Sequence, residues 1–177
     1  MRMAERIIYE GRIVKLRIES VRLPNGVLVD LELMRHPGAA AVAAVDDAGR
    51  VVLIHQYRHA AGGYVWELPA GVLDHEGESP GACAARELRE EVGIEAREWT
   101  PLGRIFTTPG FCDEQIHLFL ARGLTHMAHE RDHDEVIDEV RDVPLDDALA
   151  MIRRGEIVDG KTVAGLYRAA DAMHEPA

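Results

Sequence analysis

The run Arg86-Glu87-Leu88-Arg89-Glu90-Glu91-Val92-Gly93-Ile94 packs three carboxylates into five consecutive positions. On a helix, side chains three and four apart share a face. Glu87, Glu90 and Glu91 therefore converge, while Ala85, Leu88 and Val92 point roughly the other way. Three like charges so placed repel one another, and Arg86 and Arg89 offset only part of that repulsion. A bound divalent cation is the natural compensation, because carboxylate oxygens are the ligands that hard ions such as Mg²⁺ prefer. An acidic helical run is ordinarily no more than a solvated face, so the flanking elements have to decide the matter.

Those elements are legible. Ser79 supplies an N-cap, Pro80 fits the first helical position and Gly93 falls just past the end, which predicts a helix around the acidic cluster. Residues 68–81, rich in Pro and Gly, read as the loop leading into it. From 7 to 36 the pattern is strand-like, with Val14, Leu16 and Ile18 alternating against Lys15, Arg17 and Glu19, and Asn25-Gly26 marks a hairpin turn. Two apolar strands, 39–45 and 51–57, flank the turn Asp46-Asp47-Ala48-Gly49. Further strands are expected at 104–107, 115–121 and 136–143, and helices at 145–154 and 162–173. Strands, helix, strands, helices is the order of an α/β/α sandwich with a mixed sheet. The expected division is an N-terminal antiparallel hairpin lobe, 1–36, and a catalytic domain, 37–177.

Composition narrows the partners. Twenty basic and thirty-one acidic residues give a net charge of −11, which argues against binding nucleic acid or an anionic membrane, since both depend on Lys and Arg meeting phosphate. An anionic substrate would need cations to bridge it. No apolar stretch has the length of a secretory signal or a membrane span. The two cysteines, Cys83 and Cys112, have no framework or metal-ligand spacing, so a cytoplasmic protein with reduced thiols is expected.

Extending outward from the carboxylates adds Gly71, Glu78 and the preceding Trp66-Glu67-Leu68-Pro69-Ala70. This constellation resembles the Nudix box: Gly, five residues, Glu, seven residues, then Arg-Glu-hydrophobic-x-Glu-Glu-x-Gly-hydrophobic. Six residues rather than five separate Gly71 from Glu78, a difference a loop can absorb. Gln56-Tyr57-Arg58, Thr108-Pro109-Gly110-Phe111 and Gly155-Glu156-Ile157-Val158-Asp159-Gly160-Lys161-Thr162 make the chain similar to the ADP-ribose pyrophosphatase branch of that family. The resemblance implies hydrolysis of ADP-ribose to AMP and ribose 5-phosphate with Mg²⁺, Mn²⁺ being possible; the alternatives are a pyrophosphatase for another nucleoside diphosphate sugar or a non-catalytic ligand sensor of the same fold. Glu87, Glu91 and the Ala70 carbonyl would hold the ions and Glu90 would bridge or tune them. A loop carboxylate, Glu135 with Asp134 and Glu139 as rivals, would act as base or water positioner. Substrate binding would fall to Arg58, Glu67, Pro109, Gly110 and Glu114, with Arg86, Glu78 and Gly71 in support. Members of the branch commonly pair as homodimers through their N-terminal strands, which implies the same use for the lobe.

Two other patterns compete. His129-Glu130-Arg131-Asp132-His133 spells the zinc-protease signature, but apolar residues at helical spacing are scarce around it, and a surface loop is the better reading. Residues 155–162 satisfy the phosphate-loop pattern, yet an amphipathic helix precedes them where a buried strand is needed. Gly155 reads instead as a helix stop and Asp159 as the next cap, leaving Lys161 without a role, so that its replacement should matter little. Cys112, with no evident His partner, reads as a loop thiol.

Overall fold

The computed structural model describes residues 1–127 and 136–174. Strand β4 (Ala39–Ala44) is its centre, a run of small apolar residues buried along its whole length. Burial on both faces is what a strand inside a parallel pairing requires. It runs parallel to β9 (Gln115–His126) and antiparallel to β7 (Ala70–Val72), and β9 pairs with β8 (Ile94–Phe106), giving the order β7-β4-β9-β8. A second sheet, β10-β5-β6, is built from β5 (Arg50–Arg58), β6 (Gly63–Glu67) and β10 (Ile137–Pro144), all antiparallel.

Alternation along these strands sends side chains into two cores. Ala40, Val42 and Ala44 of β4, with Val52 and Ile54 of β5, pack beneath α1 (Pro80–Val92) through Ala84, Leu88 and Val92. Ala43, Val45, Val51 and Leu53 point the other way. They meet Ala148 and Met151 of α2 (Leu145–Arg154) and Leu166, Ala169 and Ala170 of α3 (Gly160–His174). Helices thus cover both sides of the strands, as the expected α/β/α sandwich requires, and no described helix is long and apolar enough to cross a membrane.

The N-terminal lobe is larger than a hairpin. Strands β2 (Lys15–Arg22) and β3 (Leu28–Arg35) pair in continuous register around a turn at Gly26, φ +87°, and β1 (Arg2–Glu10) adds a third strand along β2. Every residue of β1 is exposed. The lobe joins the body where the Met34 N–H donates to the Phe111 carbonyl at 2.7 Å and the Arg35 guanidinium bridges Glu19 and Asp113. Those two carboxylates hold the Arg35 pKa above its ordinary value.

Candidate active site

Helix α1 is framed as its sequence predicts. Ser79 Oγ accepts the Ala82 N–H at 3.2 Å, Pro80 opens the helix, and Gly93 closes it in the left-handed region at φ +66°, its N–H donating to Arg89 and Leu88 carbonyls. The orientation about its axis is less simple than the periodicity implies. Ala85 is exposed, and the buried residues are Cys83, Ala84, Leu88 and Val92 together with Glu87 and Glu91, which retain only 7% and 0% exposure. Buried carboxylates are costly unless they are hydrogen-bonded or paired, so a solvated acidic face does not describe them.

Each carboxylate is held differently. Glu91 Oε2 accepts the Ala70 N–H at 3.0 Å, tying α1 to the first residue of β7. Glu87 lies against Gly71, so close that a Cβ there would fall 1.8 Å from Glu87 Oε1; only glycine fits. Arg86 spreads its fork across the rest, with Nε and Nη2 on the two Glu78 oxygens at 2.9 and 3.1 Å and Nη1 on Glu87 at 2.6 Å and Glu90 at 3.0 Å. Hydrogen bonding to Glu78 foremost drives the Arg86 pKa upward, and the same bond holds the Glu78 carboxyl below the usual glutamate range. The extra residue between Gly71 and Glu78 is absorbed in a turn, where the Glu78 N–H donates to the His75 carbonyl and Gly77 sits at φ +77°. Cys83 packs behind this network, its thiol 3.6 Å from the Gly71 and Val72 carbonyls. Burial, then the Glu87 charge, pushes it up to about 12, which makes it an inert thiol rather than a nucleophile.

The cleft, of about 890 Å³, is lined by a second group of charges as well. Arg58, at the end of β5, clamps Glu67 with Nε at 3.0 Å and Nη2 at 2.7 Å. Burial works against the Arg58 charge, but hydrogen bonding to Glu67 together with the charges of Glu67, Glu91 and Asp159 outweighs it and keeps the pKa above normal. Glu67 has a second partner: Lys161 Nζ donates to its Oε2 at 2.6 Å and stands 3.1 Å from Asp159. Lys161, to which the sequence assigned no role, thus lines the cleft beside Asp159. Residues 155–162 do form a stop and a cap. Gly155 ends α2 at φ +76°, and Asp159 accepts the Thr162 N–H at 3.0 Å and its hydroxyl at 2.6 Å. Thr162 Oγ1 in turn accepts the Leu68 N–H, fixing the residue after Glu67.

The remaining wall comes from the lobe and the segment after β8. Arg12, Ile13, Phe106, Thr107 and Glu114 line it, with Glu114 accepting the Thr107 hydroxyl at 2.9 Å and lying 3.4 Å from His36 Nδ1. Pro109 and Gly110 do not reach the cleft; they sit exposed on the turn that anchors Met34. Glu139 is also turned away, paired on the exposed face of β10 with Arg141 at 2.7 Å. Asp134 and Glu135, like the motif from His129 to His133, lie outside the described residues, although Val136 next to them lines the cleft.

The donor set suits a hard divalent cation. Five carboxylates, Glu67, Glu78, Glu87, Glu90 and Glu91, gather here with three cationic side chains, Arg58, Arg86 and Lys161, an excess of acid that Asp159 beside Lys161 increases. Among the described residues no three acidic, His or Cys side chains already surround one point, because the Arg86 guanidinium occupies the space between Glu78, Glu87 and Glu90.

Comparison with known proteins agrees with this geometry. The model of the NUDIX domain matches residues 34–166, and the chain belongs to that family. It is 43% identical over 160 residues to an ADP-ribose pyrophosphatase of Mycobacterium tuberculosis, covering 90% of this chain and 77% of that protein. To an ADP-ribose pyrophosphatase of Bacillus subtilis it is 41% identical over 162 residues, covering 90% and 86%. A crystal structure of an ADP compounds hydrolase superposes with a TM-score of 0.83 at 23% identity, over 98% of this chain and 93% of the other, which establishes the shared fold.

Proposed function

We propose that this protein hydrolyses the diphosphate bond of ADP-ribose to give AMP and ribose 5-phosphate, with Mg²⁺ as its metal and Mn²⁺ as a substitute. The observation that carries the reading is that one cleft is lined both by the Glu87 and Glu90 carboxylates and by the Arg58 and Lys161 cations. A dianionic diphosphate bridged to carboxylates by a divalent ion would meet both sets of side chains. Two relatives above 40% identity carry the ADP-ribose pyrophosphatase name.

In this reading Glu87, Glu91 and the Ala70 carbonyl would hold the metal and Glu90 would bridge or tune it. When bound, the ion neutralises the diphosphate and lowers the cost of deprotonating water. The protein's own part is positional. Arg86 orients Glu87 and Glu90 while anchored on Glu78, Gly71 leaves room for the Glu87 carboxylate, and Glu67 aims Arg58 so that its Nη1 reaches a phosphate oxygen. Glu114 would accept a ribose hydroxyl, a reading supported by its place in the cleft wall, and Glu135 is the proposed base. A panel of nucleoside diphosphate compounds with Mg²⁺, its products resolved by chromatography, tests the reading. AMP and ribose 5-phosphate from ADP-ribose are expected, whereas faster cleavage of another nucleoside diphosphate sugar would move the assignment to that substrate.

The proposal extends to assembly and compartment. Residues 1–36 serve as a dimerisation lobe for the domain 37–177, a reading supported by Ile7, Ile8, Tyr9, Val27, Leu28 and Leu31, all apolar and exposed on that lobe. Removing residues 1–36 should convert a dimer to a monomer in light scattering, and a truncated protein that stays dimeric refutes it. Two free, buried cysteines suit the reducing cytoplasm.

A further inference from the structure

Lysine is scarce in this chain. Of twenty Lys and Arg residues eighteen are arginine, and the two lysines are Lys15 and Lys161. Lys15 pairs with Glu10 at 3.2 Å on the exposed lobe. Lys161 is the opposite case: at 11% side-chain exposure it is tucked into the start of α3, in the wall of the cleft. Its flanks are pinned, because Asp159 caps the helix through Thr162 and Thr162 holds the Leu68 N–H. The ammonium is therefore delivered to Glu67 by backbone-anchored neighbours.

Glu67 is a single carboxylate, 3% exposed along its side chain, serving two cations. Its Oε2 accepts both Arg58 Nη2 at 2.7 Å and Lys161 Nζ at 2.6 Å, while Oε1 accepts Arg58 Nε at 3.0 Å. A guanidinium satisfies a carboxylate through a planar edge, and that edge is already taken by Arg58. A compact ammonium with three donors adds to the same oxygen without displacing the fork. If Glu67 had Arg58 alone, the pair would be neutral, and the charge of Arg58 would be spent on its buried partner. Asp159, 3.1 Å from Lys161, brings these four side chains to neutrality, but with Lys161 on Glu67 Oε2 the charge of that carboxylate is divided between two cations instead of being spent on Arg58 alone.

We propose that Lys161 is a positioning residue for Arg58: by sharing the buried Glu67, it leaves the guanidinium fixed and electrostatically available to the substrate's diphosphate. The inference rests on the cleft being a nucleoside diphosphate site.

Steady-state kinetics with ADP-ribose and Mg²⁺ would compare wild type, Lys161→Met, Glu67→Gln and the double variant, with inorganic pyrophosphate binding measured alongside by calorimetry. Lys161→Met should raise KM by about tenfold or more, the scale of losing one partner of a buried charged pair, with kcat changed far less. Adding Glu67→Gln should recover most of that loss, since the carboxylate that otherwise takes up the whole charge of Arg58 is then gone. Pyrophosphate affinity should follow the same order. An unchanged KM in Lys161→Met overturns the proposal. So does a double variant no better than the single one, which would mean that Lys161 touches substrate directly. Should Lys161→Met fail to fold, Lys161→Gln, which keeps a donor toward Glu67, carries the same expectation. A wild-type protein that binds pyrophosphate but leaves ADP-ribose intact would overturn the proposed function, and the calorimetric series alone would then decide the role of Lys161. A wild-type protein that binds neither overturns both.

Discussion

Replacing Gly71 by alanine puts one methyl group where the structure has none to spare. The added Cβ would lie 1.8 Å from Glu87 Oε1, 2.0 Å from its Cδ and 2.7 Å from its Cγ, whereas ordinary contact begins at 3.4 Å. Moving Cδ from 2.0 Å to that limit requires a retreat of about 1.4 Å, comparable to the 1 Å displacement that costs roughly 100-fold in catalysis. The carboxylate cannot retreat freely, because Arg86 Nη1 holds it at 2.6 Å. We therefore expect kcat/KM for ADP-ribose to fall at least about 100-fold. Overpacking should also destabilise by about 1–3 kcal/mol, read as a Tm lowered by about 2–4 °C per kcal/mol for a chain of this size. Circular dichroism melts and Mg²⁺-supported turnover measure the two effects separately. A Gly71→Ala, Glu87→Ala double variant removes the obstructing carboxylate, so it should melt above Gly71→Ala while remaining inactive. Turnover by Gly71→Ala within threefold of wild type would refute the argument that this glycine exists to seat Glu87.

Glu91→Gln keeps an acceptor for the Ala70 N–H but loses the charge of a carboxylate with 0% exposure; turnover should drop by orders of magnitude while calorimetry still detects ADP-ribose, and a near-normal rate would contradict the metal role. Ser79→Ala removes the acceptor of the Ala82 N–H and should cost about 1 kcal/mol, seen as a Tm lower by about 2–4 °C with kcat intact. Acid should expose the Glu78–Arg86 pair. Arg86 depresses the folded-state Glu78 pKa, so the stability it confers is complete above the unfolded glutamate value of about 4.3 and disappears as pH falls through the lower folded value. Glu78→Gln should flatten the Tm-against-pH curve in that acidic window, and an unaltered slope would show the pair to be inert.

Local chemistry makes much of this molecule readable in its residues alone. The cap at Ser79, the stop at Gly93, the hairpin turn at Gly26 and the stop and cap around Gly155 and Asp159 depend on single residues with strong backbone preferences, and all are where their types place them. What escapes such a reading depends on pairing at a distance. Strand β8 runs from Ile94 to Phe106, yet only its last few residues read as strand, because Pro101 and Gly103 argue against one. The β8–β9 register shifts between Pro101 and Arg104, and that irregularity, with Gly103 at φ +84°, accommodates both. Strand β7 is hidden in a Pro- and Gly-rich stretch, since three residues show no periodicity and are recruited by Ala39 to Ala41 of β4. In the cleft, the box residues are legible as a motif. The partnership of Glu67 with Lys161 is not, because 94 positions separate them and the lysine sits inside a pattern better known for another purpose. Pro109 and Gly110 stand exposed outside the described cleft lining, in a motif whose Phe111 carbonyl anchors Met34 of the N-terminal lobe.

The surplus residue between Gly71 and Glu78 divides the motif into a rigid rod and a slack cord. The rod is α1, where inserting one residue would rotate every later side chain by about 100° and scatter its acids around the barrel. The cord is the turn through Gly77, which lengthens without moving the point where both Glu78 oxygens meet the Arg86 fork. Descendants of such a protein are free to vary the cord and bound to keep the rod, so pattern searches that insist on a fixed count before the helix will pass over chains with the same chemistry.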